Sequence, residues 1–149
     1  MPGVTTAPAR RLLLDTNVVV GALLWRGPPW QLMEVAIEGG IELSCSPILI
    51  AELEQTLGYP KFARRLALLQ AEVAGLVRQY QAVTTLVDAP GAPPRVVPGD
   101  RGDDHVVAAA LAARADLIVS GDQHLLGLGE YEGIAIVTVR QALDRLGVS

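Results

Sequence analysis

The chain has 149 residues, of which 50% are hydrophobic and 19% charged, and its formal net charge is -4. This length fits one ordinary domain that buries a sizeable core without disulfide staples. A negative net charge argues against a protein that coats nucleic acid with a uniformly basic surface. It does not exclude a nucleic-acid enzyme, because a cluster of metal-binding acids enters the net charge without its counter-ions.

The termini, the longest apolar runs and the cysteine content indicate the cellular setting. Residues 1–10 hold Pro, Thr and Ala without an apolar segment, which predicts a frayed or disordered tail, and residues 11–149 are predicted to form a single domain. No apolar run reaches the roughly 18 to 20 residues needed to cross a bilayer. The single cysteine, Cys45, excludes an internal disulfide and is predicted to lie in the core. We therefore expect a cytoplasmic protein without a membrane segment.

Short apolar segments alternate with longer helical patterns along the chain. This order predicts an α/β fold in which helices cover both faces of a parallel sheet. The predicted strands are Arg11–Leu14, Ile41–Ser44, Val83–Val87, Leu117–Val119 and Ile134–Thr138. The predicted helices are Val18–Leu24, Pro28–Glu38, Pro47–Leu57, Lys61–Tyr80, Asp103–Ala113 and Val139–Leu146. The proline-rich segment Asp88–Arg101 is predicted to be a loop.

A carboxylate follows each of two predicted strands. The run Leu12-Leu13-Leu14 ends at Asp15, and the run Leu117-Ile118-Val119 is followed by Ser120-Gly121-Asp122. Ligand sites of open α/β sheets lie beyond the carboxyl ends of the strands. If these two strands are neighbours, Asp15 and Asp122 stand together, and two carboxylates repel each other unless a cation joins them.

Two predicted helices supply further acids. Glu52 lies beside the apolar face of its helix, whereas Glu54 lies on the opposite, solvated side. Asp103 and Asp104 open a helix that continues as an almost wholly apolar run. A helix cap and a first-turn acid are the structural explanation for such a pair. Asp104 begins the face that packs on the sheet, so it is the stronger candidate for reaching over the sheet edge.

Four acids at two strand ends and on two helices form a set of oxygen ligands, which Mg2+ and Mn2+ prefer. The candidate catalytic and metal-binding residues are Asp15, Glu52, Asp104 and Asp122. Asn17 and Ser120 are candidates for orienting these ligands or a water molecule.

The motifs around these acids resemble the PIN domain. They are Leu13-Leu14-Asp15-Thr16-Asn17-Val18, Ile50-Ala51-Glu52-Leu53, the pair Asp103-Asp104 before an alanine-rich helix, and Val119-Ser120-Gly121-Asp122. The order and spacing from Leu12 to about Val139 are similar to those of PIN-family toxins of bacterial and archaeal toxin–antitoxin pairs. Further matching segments are Ser46-Pro47-Ile48, Tyr59-Pro60-Lys61-Phe62 and Asp122-Gln123-His124-Leu125-Leu126.

The resemblance implies a three-layer α/β/α sandwich with a five-stranded parallel sheet. It implies a divalent-metal-dependent ribonuclease, commonly a homodimer, that is often held inactive by an antitoxin encoded beside it. By the same resemblance, metal and water binding fall to Asp15, Glu52, Asp104 and Asp122, and supporting roles fall to Asn17, Ser120 and Asp103.

Together these expectations describe an endoribonuclease with Mg2+ or Mn2+ as its cofactor and RNA as its substrate, in which a metal-activated water hydrolyses the phosphodiester. The candidate RNA contacts are the basic residues Arg10, Arg11, Arg26, Lys61, Arg64 and Arg65. His105 and His124 are candidates for proton transfer, but lone histidines beside a helix start and a turn are more often ordinary surface residues, and we interpret them so. Trp25 and Trp30 flank a turn, where they line a groove for an antitoxin or a dimer contact, or else cover the core.

Two other functions are open alternatives. Phosphatases of the haloacid-dehalogenase type also begin with an aspartate after a strand, but they need a second aspartate two residues later, where this chain has Asn17. They also need a lysine near a strand end, whereas the only lysine, Lys61, lies in a predicted helix. The other alternative is a catalytically weak PIN-like module that binds RNA or a protein.

Overall fold

The computed structural model of the protein describes residues 10–89 and 101–148. Residues 1–9 of the predicted tail and residues 90–100 of the predicted loop therefore lie outside the described residues. Within the two described ranges, no helix is long and apolar enough to span a bilayer.

Six strands of the two described ranges form one sheet. They are β1 (Arg11–Leu14), β2 (Glu42–Cys45), β3 (Thr84–Leu86), β4 (Leu117–Val119), β5 (Glu130–Tyr131) and β6 (Ile134–Val137). Their order across the sheet is β3-β2-β1-β4-β6-β5. All pairings are parallel except that of β5 with β6. The five predicted parallel strands are confirmed, and no strand end is shifted by more than one residue.

The prediction of only five strands was wrong, because β5 adds a short antiparallel edge. Its two residues, Glu130 and Tyr131, form no apolar run that could be recognised in the sequence. The hairpin to β6 turns at Glu132 and Gly133, whose φ angles are 48° and 84°. Positive φ at both central residues is what a type I′ turn requires.

In the part of the chain that the structure describes, eight helices surround the sheet. They are α1 (Thr16–Trp25), α2 (Gly27–Ile37), α3 (Pro47–Leu57), α4 (Ala63–Leu69), α5 (Val73–Ala82), α6 (Arg101–Ala113), α7 (Gln123–Leu126) and α8 (Val139–Leu146), and a 3-10 turn spans Pro60–Phe62. Helix α6 packs on β1, β2 and β4, while α2 and α8 pack on each other and on β2 and β4. Consecutive residues of β1 are buried, so both faces of the sheet are covered. The predicted α/β/α sandwich is confirmed.

The predicted helix Lys61–Tyr80 is wrong as a single element. The chain instead forms the 3-10 turn, then α4, then α5, and it changes direction at Gln70, whose φ of 51° is left-handed. No glycine or proline marks this break, which is why the apolar pattern reads as one helix. Tertiary packing accounts for the turn, because α4 lies against α1 whereas α5 lies against α3.

Candidate metal centre

Asp15 lies where β1 ends and α1 begins. Its backbone N–H donates to the Val119 carbonyl at 2.9 Å, which continues the parallel pairing of β1 with β4. Its carboxylate caps α1, because Oδ1 accepts a 2.8 Å hydrogen bond from the Thr16 N–H. The side chain is 5% exposed. The predicted adjacency of these two strand ends is therefore confirmed.

Ser120 ties the end of β1 to the loop after β4. This fully buried residue donates from Oγ to Asp15 Oδ2 at 2.8 Å. The same oxygen accepts the Asp122 N–H at 2.9 Å. One hydroxyl thus fixes the orientation of one candidate acid and the backbone position of another.

Asp122 caps the short helix α7. Its Oδ1 accepts the His124 N–H at 2.7 Å, and it lies 3.3 Å from His124 Nδ1. The Asp122 side chain is 25% exposed and that of His124 is 63% exposed. Both side chains are therefore within reach of a ligand from solvent.

The first turn of α6 brings a third carboxylate to this place. Asp103 and Asp104 both lie in that turn and are buried. One potential ligand atom from each of Asp103, Asp122 and His124 lies within 4.8 Å of the others. Of the aspartate pair, it is therefore Asp103 that is grouped with Asp122. The division of ligand and supporting roles between Asp103 and Asp104 stays a prediction.

His124 is the member of this group that the sequence interpretation left out. Its exposure agrees with a surface residue, but its imidazole also stands among candidate metal ligands. The available signal was the spacing Asp122-Gln123-His124 at the start of a helix. A capped first turn brings residues two apart close together, as the 2.7 Å bond from the His124 N–H to Asp122 shows.

Glu52 belongs to α3, which begins at Pro47 after a cap in which Ser46 Oγ accepts the Leu49 N–H. The glutamate is half-buried. Its negative charge acts on the thiol of Cys45 at the end of β2. The pKa of that thiol is raised from 9.0 to about 11, chiefly by burial and further by the negative charge of Glu52, while a backbone hydrogen bond from Ser46 lowers it. Glu52 therefore lies near the carboxyl end of β2, the strand beside β1.

A sequence model of the PIN domain matches residues 11–124. The chain belongs to the PIN-domain family. Comparison with curated protein sequences finds no match.

Solved structures share the fold of this PIN domain. VapBC2 from Rickettsia felis, bound to a DNA fragment from their promoter, is 13% identical with a TM-score of 0.58, and the match covers 86% of this chain and 98% of that chain. FitAcB from Neisseria gonorrhoeae is 15% identical with a TM-score of 0.53, and the match covers 87% and 98%. At these identities the likeness concerns the fold.

The donor set at the carboxyl edge of this PIN domain fits a divalent cation. Carboxylate oxygens suit Mg2+ and Mn2+, and an imidazole nitrogen extends the choice among transition metals. Asp103, Asp122 and His124 would hold the ion, with Asp15 beside them through Ser120. The predicted ligand roles of Asp15, Glu52 and Asp104 and the predicted supporting role of Asn17, which is exposed in the first turn of α1, stay predictions.

The basic residues lie elsewhere on the PIN domain. Arg10 and Arg11 were expected near the acids, but they lie at the amino end of β1. The backbone N–H of each donates to Asp116 Oδ2 at 2.9 Å. That end is about 13 Å from Asp15 at the rise of a β-strand. The remaining candidates are Arg26, Lys61, Arg64 and Arg65, which lie at the far end of α1 and around α4.

Proposed function

We propose that this PIN-domain protein is a divalent-metal-dependent endoribonuclease and the toxin of a toxin–antitoxin pair. The observation that carries the proposal is the cluster at the carboxyl edge of the sheet, where Asp103, Asp122 and His124 approach within 4.8 Å. Membership of the PIN family supports a nuclease over a phosphatase. The missing second aspartate at Asn17 supports the same choice.

A bound Mg2+ or Mn2+ supplies Lewis-acid activation of water and neutralises charge on the phosphate. The protein's own residues orient the reaction. Ser120 holds Asp15 in one rotamer through the 2.8 Å bond to Oδ2, while the Thr16 N–H holds Oδ1. The His124 N–H holds Oδ1 of Asp122, which fixes the orientation of a carboxylate that would hold the ion. Ser120 itself is not proposed as the nucleophile, because its fully buried hydroxyl is inaccessible to a substrate.

The proposal extends to substrate and partners. Arg26, Lys61, Arg64 and Arg65 are proposed to contact the phosphates of RNA. A cognate antitoxin protein is proposed because the VapBC2 chain belongs to a pair solved with DNA from their promoter. The protein is further proposed to form a homodimer and to be cytoplasmic. A monomer in sedimentation at micromolar concentration would contradict the homodimer.

The nuclease activity is tested with single-stranded RNA in Mg2+ or Mn2+. We expect Asp15→Asn and Asp122→Asn each to slow cleavage by at least about 100-fold, because each removes a charge that holds or adjoins the ion. Asp144→Asn, at an exposed carboxylate of α8, serves as the matched control and should cleave like the native chain. Chelation by EDTA should abolish cleavage.

Equal cleavage by the native chain and both site variants would overturn the proposal. RNA binding without cleavage under all metal conditions would instead identify the catalytically weak PIN-like module.

A further inference from the structure

One face of α1, exposed at both ends and half-buried at Gly21, runs from beside the acid cluster to the other end of the helix. Seven of the ten residues of α1 are buried. Of the other three, Asn17 and Trp25 are exposed and Gly21 is half-buried. Residues four apart lie on one face of a helix, so these three form a single stripe. Its length from Asp15 to Trp25 is about 15 Å at the rise of an α-helix.

A group of rings and cations lies where this stripe ends. The Trp25 and Phe62 rings meet edge to face with centroids 5.8 Å apart. The Arg65 guanidinium lies 5.6 Å from the Trp25 ring centre, and Lys61 Nζ lies 5.1 Å from the Phe62 ring centre. We call Trp25, Arg26, Lys61, Phe62 and Arg65 the basic aromatic patch.

The patch is rigid, and yet its main ring is open to solvent. Arg65 Nε donates to the Leu24 carbonyl at 2.8 Å, which fastens α4 to the last turn of α1. Trp25 is nevertheless 53% exposed. Trp25 therefore does not serve mainly to cover the core. Trp30, in contrast, is partly buried and packs against the core. A large, half-exposed ring on a fixed support is typical of a binding surface.

The charge of this region is opposite to that of the whole chain. Residues 21–31 and 58–71 contain no aspartate or glutamate and carry four cations, Arg26, Lys61, Arg64 and Arg65. Among the residues that the structure describes, none of these four forms an ion pair with a carboxylate. A protein of net charge -4 thus has a locally positive surface beside Trp25.

A small cavity adjoins the exposed ring. It has a volume of about 260 Å3, and Trp25, Arg26, Arg65 and Leu69 are among its lining residues. This is slightly below the roughly 300 to 1,000 Å3 of pockets for drug-sized ligands, so it suits one flat group. The walls offer an apolar ring face and two guanidinium groups, which match a base and its phosphate.

We propose that the basic aromatic patch binds single-stranded RNA, with a base stacked on Trp25 and with Lys61 and Arg26 on the phosphates. The α1 stripe leads the strand from there to the acids, and this part of the inference rests on the proposed ribonuclease function. Proteins that bind single strands without sequence preference combine exposed rings, on which bases stack, with cations that contact the phosphates. An apolar partner segment would not require four cations. At about 3.4 Å per stacked nucleotide, roughly five nucleotides span the stripe.

Binding is measured in EDTA, where no cleavage interferes, by fluorescence anisotropy with a labelled oligouridine of roughly twelve nucleotides, longer than the stripe. Trp25→Leu should weaken binding by about 5- to 100-fold, since one stacked base is lost. Leu68→Gln, a 70% exposed apolar residue on α4, is the matched control and should bind like the native chain.

Lys61→Ala provides a second variant that removes no core contact. It should lower the slope of log Kd against log salt by about 0.7, the value for one phosphate contact on a single strand. Arg140→Ala, an exposed cation on α8, should leave the slope unchanged. If Trp25→Leu and Lys61→Ala both bind RNA like the native chain, the patch serves another partner and the inference is wrong.

The two proposals fail in different ways. A protein that cleaves RNA with metal while Trp25→Leu retains native affinity contradicts only the patch. A protein that loses RNA affinity in Trp25→Leu but cleaves no RNA contradicts only the ribonuclease function.

Discussion

Cys45 at the end of β2 and Tyr80 in α5 are buried weak acids, and they lie close enough for the charge of Cys45 to act on Tyr80. Burial is the main cause that raises the pKa of Cys45 to about 11, and burial together with the charge of Cys45 raises the pKa of Tyr80. Both groups hold their protons more firmly in the folded chain than in the unfolded one. The unfolded thiol ionises near its ordinary pKa of 9.0, whereas the folded thiol stays protonated to about 11. The free energy of unfolding must therefore fall as the pH rises from 9 to 11.

This fall should be measurable by urea unfolding in EDTA at pH 8, 9 and 10. Full titration of Cys45 corresponds to roughly 2 to 3 kcal/mol, of which about half appears by pH 10. Cys45→Ala should be less stable than the native chain at pH 8 because packing is lost, but its stability should decline less with pH. An equally steep decline in both proteins would show that the thiol does not titrate as described.

Single residues also mark how far the site could be predicted. Asp15, Ser120 and Asp122 follow apolar runs that end where the strands end, so their meeting at one sheet edge follows from β1 lying beside β4. The choice between Asp103 and Asp104 is harder, because the side chains of successive helical residues point about 100° apart. An error of one residue in the predicted start of the helix therefore assigns to one aspartate the direction of the other. His124 needed the geometry of a capped turn that no apolar pattern reveals.

At the scale of elements, the break between α4 and α5 makes its own prediction. Gln70 ends α4 with a φ of 51°, a conformation that costs an L-residue roughly 1 kcal/mol and costs glycine almost nothing. Gln70→Gly should therefore raise the free energy of unfolding, by up to about 1 kcal/mol in urea denaturation. The left-handed cap, and with it the order of α4 and α5, should be unchanged.

The same substitution inside a helix gives the opposite sign. Gln55 is exposed within α3, and Gln55→Gly should lower stability by about 0.5 to 1 kcal/mol. Two glutamine-to-glycine changes of equal chemistry thus separate the cap from the helix interior. Destabilisation by both would indicate that α4 continues unbroken into α5.

The elements also divide into those that a pattern specifies and those that packing specifies. The strands β1 and β4 are apolar runs bounded by polar residues, and α3 carries Pro47 and the cap Ser46 at its start. The strand β5 and the turn at Gln70 have no such local signal. They form because a hairpin meets β6 and because α4 and α5 pack on different helices.

The acid cluster lies at the carboxyl edge of the sheet, and the basic aromatic patch lies at the end of α1. A divalent ion that binds only the folded edge stabilises the entire domain by mass action, by about 2.7 kcal/mol at a hundredfold excess over Kd. For a chain of this size we expect Mn2+ to raise Tm by roughly 5 to 10 °C. EDTA should reverse the shift.

The increase of Tm with Mn2+, measured in site variants, identifies the residues that hold the ion. Asp122→Asn and Asp103→Asn should each remove most of the shift, because each loses a charge from the group that spans 4.8 Å. Asp144→Asn on α8 should keep it. An identical Mn2+ shift in all three variants would place the ion elsewhere in the fold.

The hydrogen bonds through Ser120 have a fixed direction. A backbone N–H can only donate and the serine hydroxyl has one proton, so the chain runs from the Asp122 N–H through Ser120 to Asp15 and cannot reverse. Bonds aligned in this way polarise one another. A displacement of the loop at Asp122 therefore weakens the hydroxyl as a donor and alters the electron density on Asp15 at the same moment. The ends of β1 and β4 are coupled electronically as well as mechanically.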